Sequence, residues 1–481
     1  MAIEHKSIDY IGEDERHGRV IDQAPFWFLG NFHFFTIAIG FVGPSFGLGF
    51  AFTSLAGALG ILFGTIFVAF HASQGAELGL PQMIQSRAQF GYRGVVIVLI
   101  GTLFTFVGFN VADSVLIARG LDGMLGWNEA AVTWVAAAIA TAIAVCGHDW
   151  LHRIFRGCFW FCLPLYTLLT LAIAAGKVPP THLTTGGFSW PGFIAQFSAS
   201  AAYNITYAPS VSDYSRYLPR HTRPGHIIAA VFLGASSAAI WLISLGAWLA
   251  TRIGASDGLV ALHEAGNAVL PGFGVLMALA SVVALVATMG LNAYSGMLTV
   301  VTALNSLFGV HPGARLRFVA IIAVAAAWIA ITFAITGNAI ELLFATLTFM
   351  LYLLVPWTSI NLADYFFVRR GRYAITHLFM PRGIYGPWGT RGLLAYALGF
   401  MSTLPFFALP GVYIGPAARA LGGIDIGWLI DLIVSGSVYL LLCRSLDISN
   451  EGAAIGDSDR ALRRAPAAPG AAALGASATP G

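Results

Sequence analysis

The residues best suited to chemistry in this chain sit inside long apolar runs, where a polar group is costly and tends to be functional. Asn31, His33 and Thr36 share one run. Thr105, Asn110 and Asp113 accompany Phe104, Phe106 and Phe109 in another. A third holds Tyr203, Asn204, Thr206 and Tyr207 ahead of Pro209, Ser210 and Ser212. In a fourth, Thr288 and Asn292 are four residues apart and so lie on one helical face. Amides and hydroxyls can satisfy the polar edge of a flat heterocycle while aromatic rings sandwich its faces. The same groups can instead bond a neighbouring helix. His33 fits either a core histidine or a proton-coupling group, and Asp113 is expected to pair with Arg119. Asp213 before Arg216, and Asp364 before Arg369 and Arg370, stand at helix ends, where they are expected to order a loop or a gate. Cys158 and Cys162 have i, i+4 spacing but no histidine or carboxylate near them within the run, so they read as small buried hydrophobes. There is no glycine-rich phosphate loop ending in Lys-Ser/Thr and no His-Glu-x-x-His. The chemistry on offer is therefore binding and translocation, driven by an ion gradient or passive, with no cofactor.

The elements that must position these residues are membrane helices. Of 481 residues, 57% are hydrophobic and 10% charged, against about a quarter charged in soluble domains. A helix needs about 20 apolar residues to cross the hydrocarbon. Twelve such runs occur, at about 26–50, 53–73, 94–118, 131–147, 157–176, 194–214, 225–251, 271–305, 316–336, 340–368, 393–415 and 426–445. The eighth is too long for one straight span and must tilt or project. With the N-terminus inside, the loops after even-numbered runs hold 14 arginines, including Arg87, Arg216, Arg369 and Arg391. The opposite loops hold only Arg119, Lys177, Arg252 and Arg419. That asymmetry predicts both termini inside a plasma or inner membrane. Residues 1–25 read as a polar tail without a cleavable signal, 26–448 as the transporter, and 449–481 as a disordered Ala/Gly/Pro-rich tail.

Two runs carry helix breakers. The first has Gly40-Phe41-Val42-Gly43-Pro44 and the sixth has Pro209. Proline removes a helix hydrogen bond and flanking glycines make unwinding cheap. Interrupted spans at matching places in two halves point to a transporter site, although an ordinary proline kink in each would leave the same trace. Runs 1 and 6 are five apart, and a five-helix repeat is inverted in the membrane. This predicts an all-α membrane protein with runs 1–5 and 6–10 as inverted repeats and runs 11 and 12 added.

The segment from Ala208 to Pro219 (APSVSDYSRYLP) closely resembles that of the purine–cytosine permeases, and so does Leu354 to Tyr373 (LVPWTSINLADYFFVRRGRY). Leu291-Asn-Ala-Tyr-Ser-Gly296 and Ser86-Arg-Ala-Gln-Phe-Gly91 fit the same pattern. The resemblance to this branch of the nucleobase–cation symporters spans all twelve runs. It implies a twelve-helix, leucine-transporter-like fold and uptake of a nucleobase or similar heterocycle with Na⁺ or H⁺. It also implies stacking between Phe109, after Gly108, and Tyr203, after Ala202, or Asn204 if the register shifts by one. Asn110 and Asn292 would hydrogen-bond the substrate. A cation would lie between carbonyls near Gly30, His33 and Ala284 and the hydroxyl of Thr288. Of two adjacent hydroxyl positions, this chain reads Ala287-Thr288, which weakens the case for Na⁺. Phe106 replaces a glutamine of some cytosine carriers, and Met289 an asparagine, so purines, hydantoin or allantoin-like ureides and vitamin pyrimidines stay open as substrates. The partners implied are that heterocycle and membrane lipid; neither nucleic acid nor an obligate protein partner is. An amino-acid symporter of the same architecture, and a receptor or passive channel, are the rival readings.

Overall fold

A computed structural model describes residues 7–182, 186–255, 257–335, 339–409 and 412–464. The chain opens with α1 (Val20–Gly30), α2 (Phe34–Ile39) and α3 (Val42–Ser45), then the long α4 (Phe50–Leu78). Two short turns, α5 (Gln82–Gln85) and α6 (Arg87–Phe90), lead into α7 (Val95–Leu125), α8 (Glu129–Cys146) and α9 (His148–Ala174). A second interrupted pair follows, α10 (Trp190–Ile205) and α11 (Ala208–Ser215), then α12 (Pro224–Arg252), α13 (Gly258–Val269) and α14 (Phe273–Phe308). The chain closes with α15 (Ala314–Ala334), α16 (Ala339–Ala363), α17 (Thr390–Thr403), α18 (Pro416–Ala420), α19 (Gly427–Cys443) and α20 (Glu451–Arg464). A two-residue hairpin, Ala408–Leu409 with Tyr413–Ile414, precedes α18.

Eight helices among the described residues are long and apolar enough to cross a membrane, or ten if each of two sharply bent pairs counts as one. The remaining apolar runs are shorter as helices. The sixth is split into 16 and 8 residues, and α17 has 14 residues. The 36-residue α14 is a single helix and the most enclosed of the long ones, while α8 and α9 are the most exposed. The amphipathic α13, between α12 and α14, was not among the apolar runs. It is only 12 residues long and mixes His263, Glu264 and Asn267 with its leucines.

The break in the first run lies away from its glycines. The bend of 56° separates Val20–Gly30 from Phe34–Ser45, so the unwound residues are Asn31 to His33. Near Gly40 to Pro44 the axis is nearly continuous, and Pro44 sits in the first turn of α3, where a missing N–H costs little. The glycines there serve packing. A β-carbon on Gly40 would stand 2.4 Å from the Ile243 carbonyl oxygen, and one on Gly246 would stand 2.0 Å from that of Ile37. Backbones of α2 and α12 thus meet with no side chain between them, as small residues permit in lipid. Gly60 and Gly64 of α4 do the same against Phe197 and Ala201 of α10. In the sixth run the helix lapses at Thr206–Tyr207, and Pro209 lies in the first turn of α11.

The expected disordered tail is corrected in part. Residues 451–464 form α20, which docks because Glu451 pairs with Arg369 (Nη2–Oε1 2.9 Å) and Ser458 accepts the Thr376 amide (3.1 Å). Its charged, alanine-rich sequence looks solvated on its own, and the docking comes from partners about eighty residues away. The part from 465 onward lies outside the described residues. At the other terminus, residues 7–19 are tied across the arginine-rich end. The Ile11 amide donates to Gly79 O (2.9 Å), Gly18 N to Tyr217 O (2.9 Å), and Arg216 Nη1 to Ser7 O (2.8 Å).

Candidate functional site

The two lapses in helical backbone face each other. Unwinding at Asn31–His33 frees carbonyls that irregular backbone in a membrane must satisfy within the protein. Gly30 O accepts from His33 Nε2 (3.0 Å) and from the Tyr207 hydroxyl. Asn31 O accepts from Thr36 Oγ1 (2.7 Å), which in turn accepts from the Tyr203 hydroxyl (2.7 Å). The Asn31 amide donates to Asn204 Oδ1 (2.9 Å) and to Ala235 O of α12 (2.9 Å). Asn204 donates to Thr65 of α4 (2.5 Å). The broken parts of the first and sixth runs are thereby sewn together by side chains at both lapses.

Three aromatic rings meet above this seam. Phe35 stacks on Tyr203 at 5.6 Å and 22°, Phe109 stands 5.4 Å from Phe35, and Phe109 meets Tyr203 edge-on at 6.2 Å and 62°. A heterocycle lying between parallel rings needs about 7 Å, twice a carbon–carbon contact. No such space is open between Phe109 and Tyr203, and Phe35 packs against both rings. Beside the rings, Asn292 Nδ2 donates to Asn110 Oδ1 (3.1 Å), and Asn110 Nδ2 donates to Met289 O (3.2 Å). Asn110 is thus used in joining α7 to α14, whereas Asn292 keeps its carbonyl oxygen uncommitted. All of these side chains are buried.

The site residues expected from sequence divide into those brought together and those set apart. Phe109, Tyr203, Asn110 and Asn292 converge. Asn204 faces Asn31 and Thr65, so it acts as a fastener between elements. Phe106 packs beside Gly296 of α14, one turn beyond Asn292, and Gly108 faces Met350 and Thr346 of α16. Thr288 Oγ1 donates to Ala284 O (3.2 Å), and Ala287 next to it is buried. Both lone pairs of Gly30 O are taken by donors, and His33 Nδ1 is buried without a partner. The expected Asp113–Arg119 pair does not form. Asp113 is buried with Oδ2 lacking any partner, because it stands more than a full turn from Arg119, which acts electrostatically on Asp257 instead. Phe35, Thr36 and Tyr207 complete the site. Thr36 and Tyr207 stood out in sequence as polar groups within apolar runs, while Phe35 had no signal beyond lying two residues from His33.

The gate candidates hold the arginine-rich end. Asp213 accepts the Gln82 amide (3.1 Å) at the start of α5, and Ser212 donates to Gln82 Oε1 (2.5 Å). His71 Nε2 bonds Thr358 (2.7 Å) while its ring stacks on Trp357 at 4.7 Å. Asp364 is buried yet fully satisfied. It accepts from Arg369 Nη1 (2.7 Å), Gln89 (2.6 Å), Tyr373 (2.8 Å) and Tyr439 (2.8 Å). Arg369 also forks onto Glu451 (Nε–Oε2 3.0 Å). Outside the membrane helices, the two acids beside Arg369 hold its guanidinium firmly charged against the penalty of burial.

Two interrupted helices cross in a polar, aromatic-lined seam inside a bundle of apolar helices, the architecture of a membrane transporter. Comparison with known sequences gives the family. Residues 10–431 match the model for permeases for cytosine/purines, uracil, thiamine and allantoin, and the chain belongs to that family; it is a transporter, not an enzyme. It is 31% identical to a putative purine-cytosine permease of Bacillus subtilis over 92% of this chain and 96% of that one. It is 24% identical to the purine-cytosine permease fcyB of Emericella nidulans over 92% and 88%. Among solved structures it is similar to Mhp1, a nucleobase-cation-symport-1 family transporter, in a closed conformation with bromovinylhydantoin bound. The TM-score is 0.74 at 18% identity, covering 95% of this chain and 100% of that one.

Proposed function

We propose that this chain imports a nucleobase, cytosine or a purine, or a closely related nitrogen heterocycle, by symport with a proton through alternating access. Both termini would lie in the cytoplasm, with runs 1–5 and 6–10 acting as inverted repeats and runs 11 and 12 as a peripheral pair. The observation that carries the substrate class is the convergence of Phe35, Phe109 and Tyr203 next to the Asn110–Asn292 pair: stacking faces beside an amide edge. Opening the stack by turning Phe35 aside would admit one flat ring between Phe109 and Tyr203, with the free Asn292 oxygen accepting from a ring N–H or exocyclic amine. An amino acid would instead call for a helix N-terminus aimed at its carboxylate.

The coupling ion follows from the oxygens. A hard cation wants several uncommitted ligands. The Gly30 carbonyl already accepts from Tyr207 and His33, and position 287 is alanine. A Na⁺ ion there would have to displace two donors and would find one hydroxyl, Thr288, whose proton goes to Ala284 O. These features favour H⁺.

The test is uptake of radiolabelled cytosine, adenine, hypoxanthine, uracil, allantoin and hydantoin in proteoliposomes, with Na⁺ and pH gradients varied separately. A nucleobase accumulated under an inward proton gradient, with or without Na⁺, is the expected outcome. Transport of none of the six sinks the substrate reading, and accumulation that requires Na⁺ and falls in Thr288→Ala sinks the proton reading. Preferential uptake of allantoin or hydantoin would redirect the substrate class and leave the mechanism standing.

A further inference from the structure

One ionisable group lies at the heart of the seam with nothing to do. Asp113 is on α7, one turn after Phe109, 1% exposed, with its Oδ2 unpartnered. It makes no hydrogen bond or ion pair among the described residues. One turn before it, the Phe109 ring meets that of Tyr203 from the sixth run. The other ionisable groups around it are accounted for. From the first run, His33 is bonded to Gly30 O. On α7 itself, Arg119 faces Asp257. The remaining elements packed against α7 carry their charges toward helix ends: Glu129 on α8, Arg315 and Arg317 on α15, Glu341 on α16. The short α13 brings His263, bonded to Asn267, and Glu264, and α14 brings Tyr294.

We propose that Asp113 carries the coupled proton. The inference rests on the proton-symport reading above. A bare carboxylate with no donor is the costliest state for a buried acid. In this conformation, then, the proton rests on Asp113, and it leaves only when the seam has opened to water on one side. The transfer is of a proton alone, from one aqueous side to Asp113 and from Asp113 to the other.

The test uses the full chain in proteoliposomes and the same six labelled compounds. Asp113→Asn mimics the neutral acid permanently. It is expected to lose the accumulation that wild type shows, about tenfold per pH unit for one proton carried with a neutral solute. It should keep exchange of external label for internal unlabelled compound, at a rate no longer dependent on pH. Asp113→Glu should restore part of the accumulation. Undiminished proton-driven accumulation in Asp113→Asn overturns the proposal. So does parallel loss of exchange and accumulation in a monodisperse Asp113→Asn with wild-type melting, which would make Asp113 a ligand of the substrate. A proton titration of detergent-solubilised protein separates this inference from the substrate reading. On acidification wild type should take up one proton more than Asp113→Asn, whichever compound is carried; equal uptake also overturns the assignment.

Discussion

Tyr203 does two jobs that substitution can separate. Its ring forms one face of the stack and its hydroxyl donates to Thr36. Tyr203→Phe keeps the face, so its KM should stay close to wild type. Tyr203→Ala removes it, and base–aromatic stacking of about 1–3 kcal/mol predicts a KM raised about ten- to a hundredfold in uptake assays. Asn204→Ala should read out differently, because Asn204 fastens Asn31 and Thr65. A lower melting temperature, from buried partners left unpaired at about 1–3 kcal/mol, is expected at an unchanged KM. Asp425 supplies a pH dependence outside the membrane helices. Burial pushes its carboxyl up to about 6, while Tyr352 and the Gly427 amide donate to it. A raised carboxyl favours the fold below its unfolded value near 4, and that contribution fades as pH rises through about 6. Asp425→Asn should therefore gain melting temperature relative to wild type at pH 7.5 and gain none at pH 4.

At the scale of elements, the arginine-rich end is held by a buried cluster that links α16, α19, α20 and the turn at α6. Arg369→Met leaves Asp364 and Glu451 without their cation, and breaking a buried pair costs about 3–5 kcal/mol. Glu451→Gln removes one of two acids and leaves Asp364 with four donors. Thermal unfolding should fall steeply for the first and little for the second, while hydrogen–deuterium exchange over 451–464 should rise in both. How far this was legible in sequence differs by element. Apolar length alone marks α4, α7, α12, α14 and α15, since nothing but lipid explains such runs. The proline at 209 correctly flags the lapse in the sixth run. The glycine at 40 misleads, because a glycine that lets two backbones touch looks the same as one that lets a helix unwind. What breaks the first run is Asn31-Phe32-His33, where Asn31 matters through partners on α10 and α12. The closed stack at Phe35 was invisible for the same reason: in a chain with 35 phenylalanines, only contact across the fold singles one out.

For the whole molecule, the distribution of arginine makes an orientation testable. A cysteine placed at Arg382, in a background with the four native cysteines replaced, should react with a membrane-impermeant maleimide only in inside-out vesicles. One placed at Arg419 should react only in right-side-out vesicles. Labelling of both from one side would overturn the even-and-odd alternation of loops. Both halves of the first run lie backbone to backbone on α12, α1 at Ala24 against Gly234 and α2 at Ile37 against Gly246, so a movement of α12 carries the whole first run with it. The docked last helix has a bearing on how the protein is made. Arg369 gains Glu451 only 82 residues later in the chain, so during synthesis the guanidinium emerges with Asp364 alone and waits for the final stretch of polypeptide. A product cut short after α19 would present that half-paired arginine at the membrane surface, a local defect by which quality control can tell an unfinished chain from a finished one.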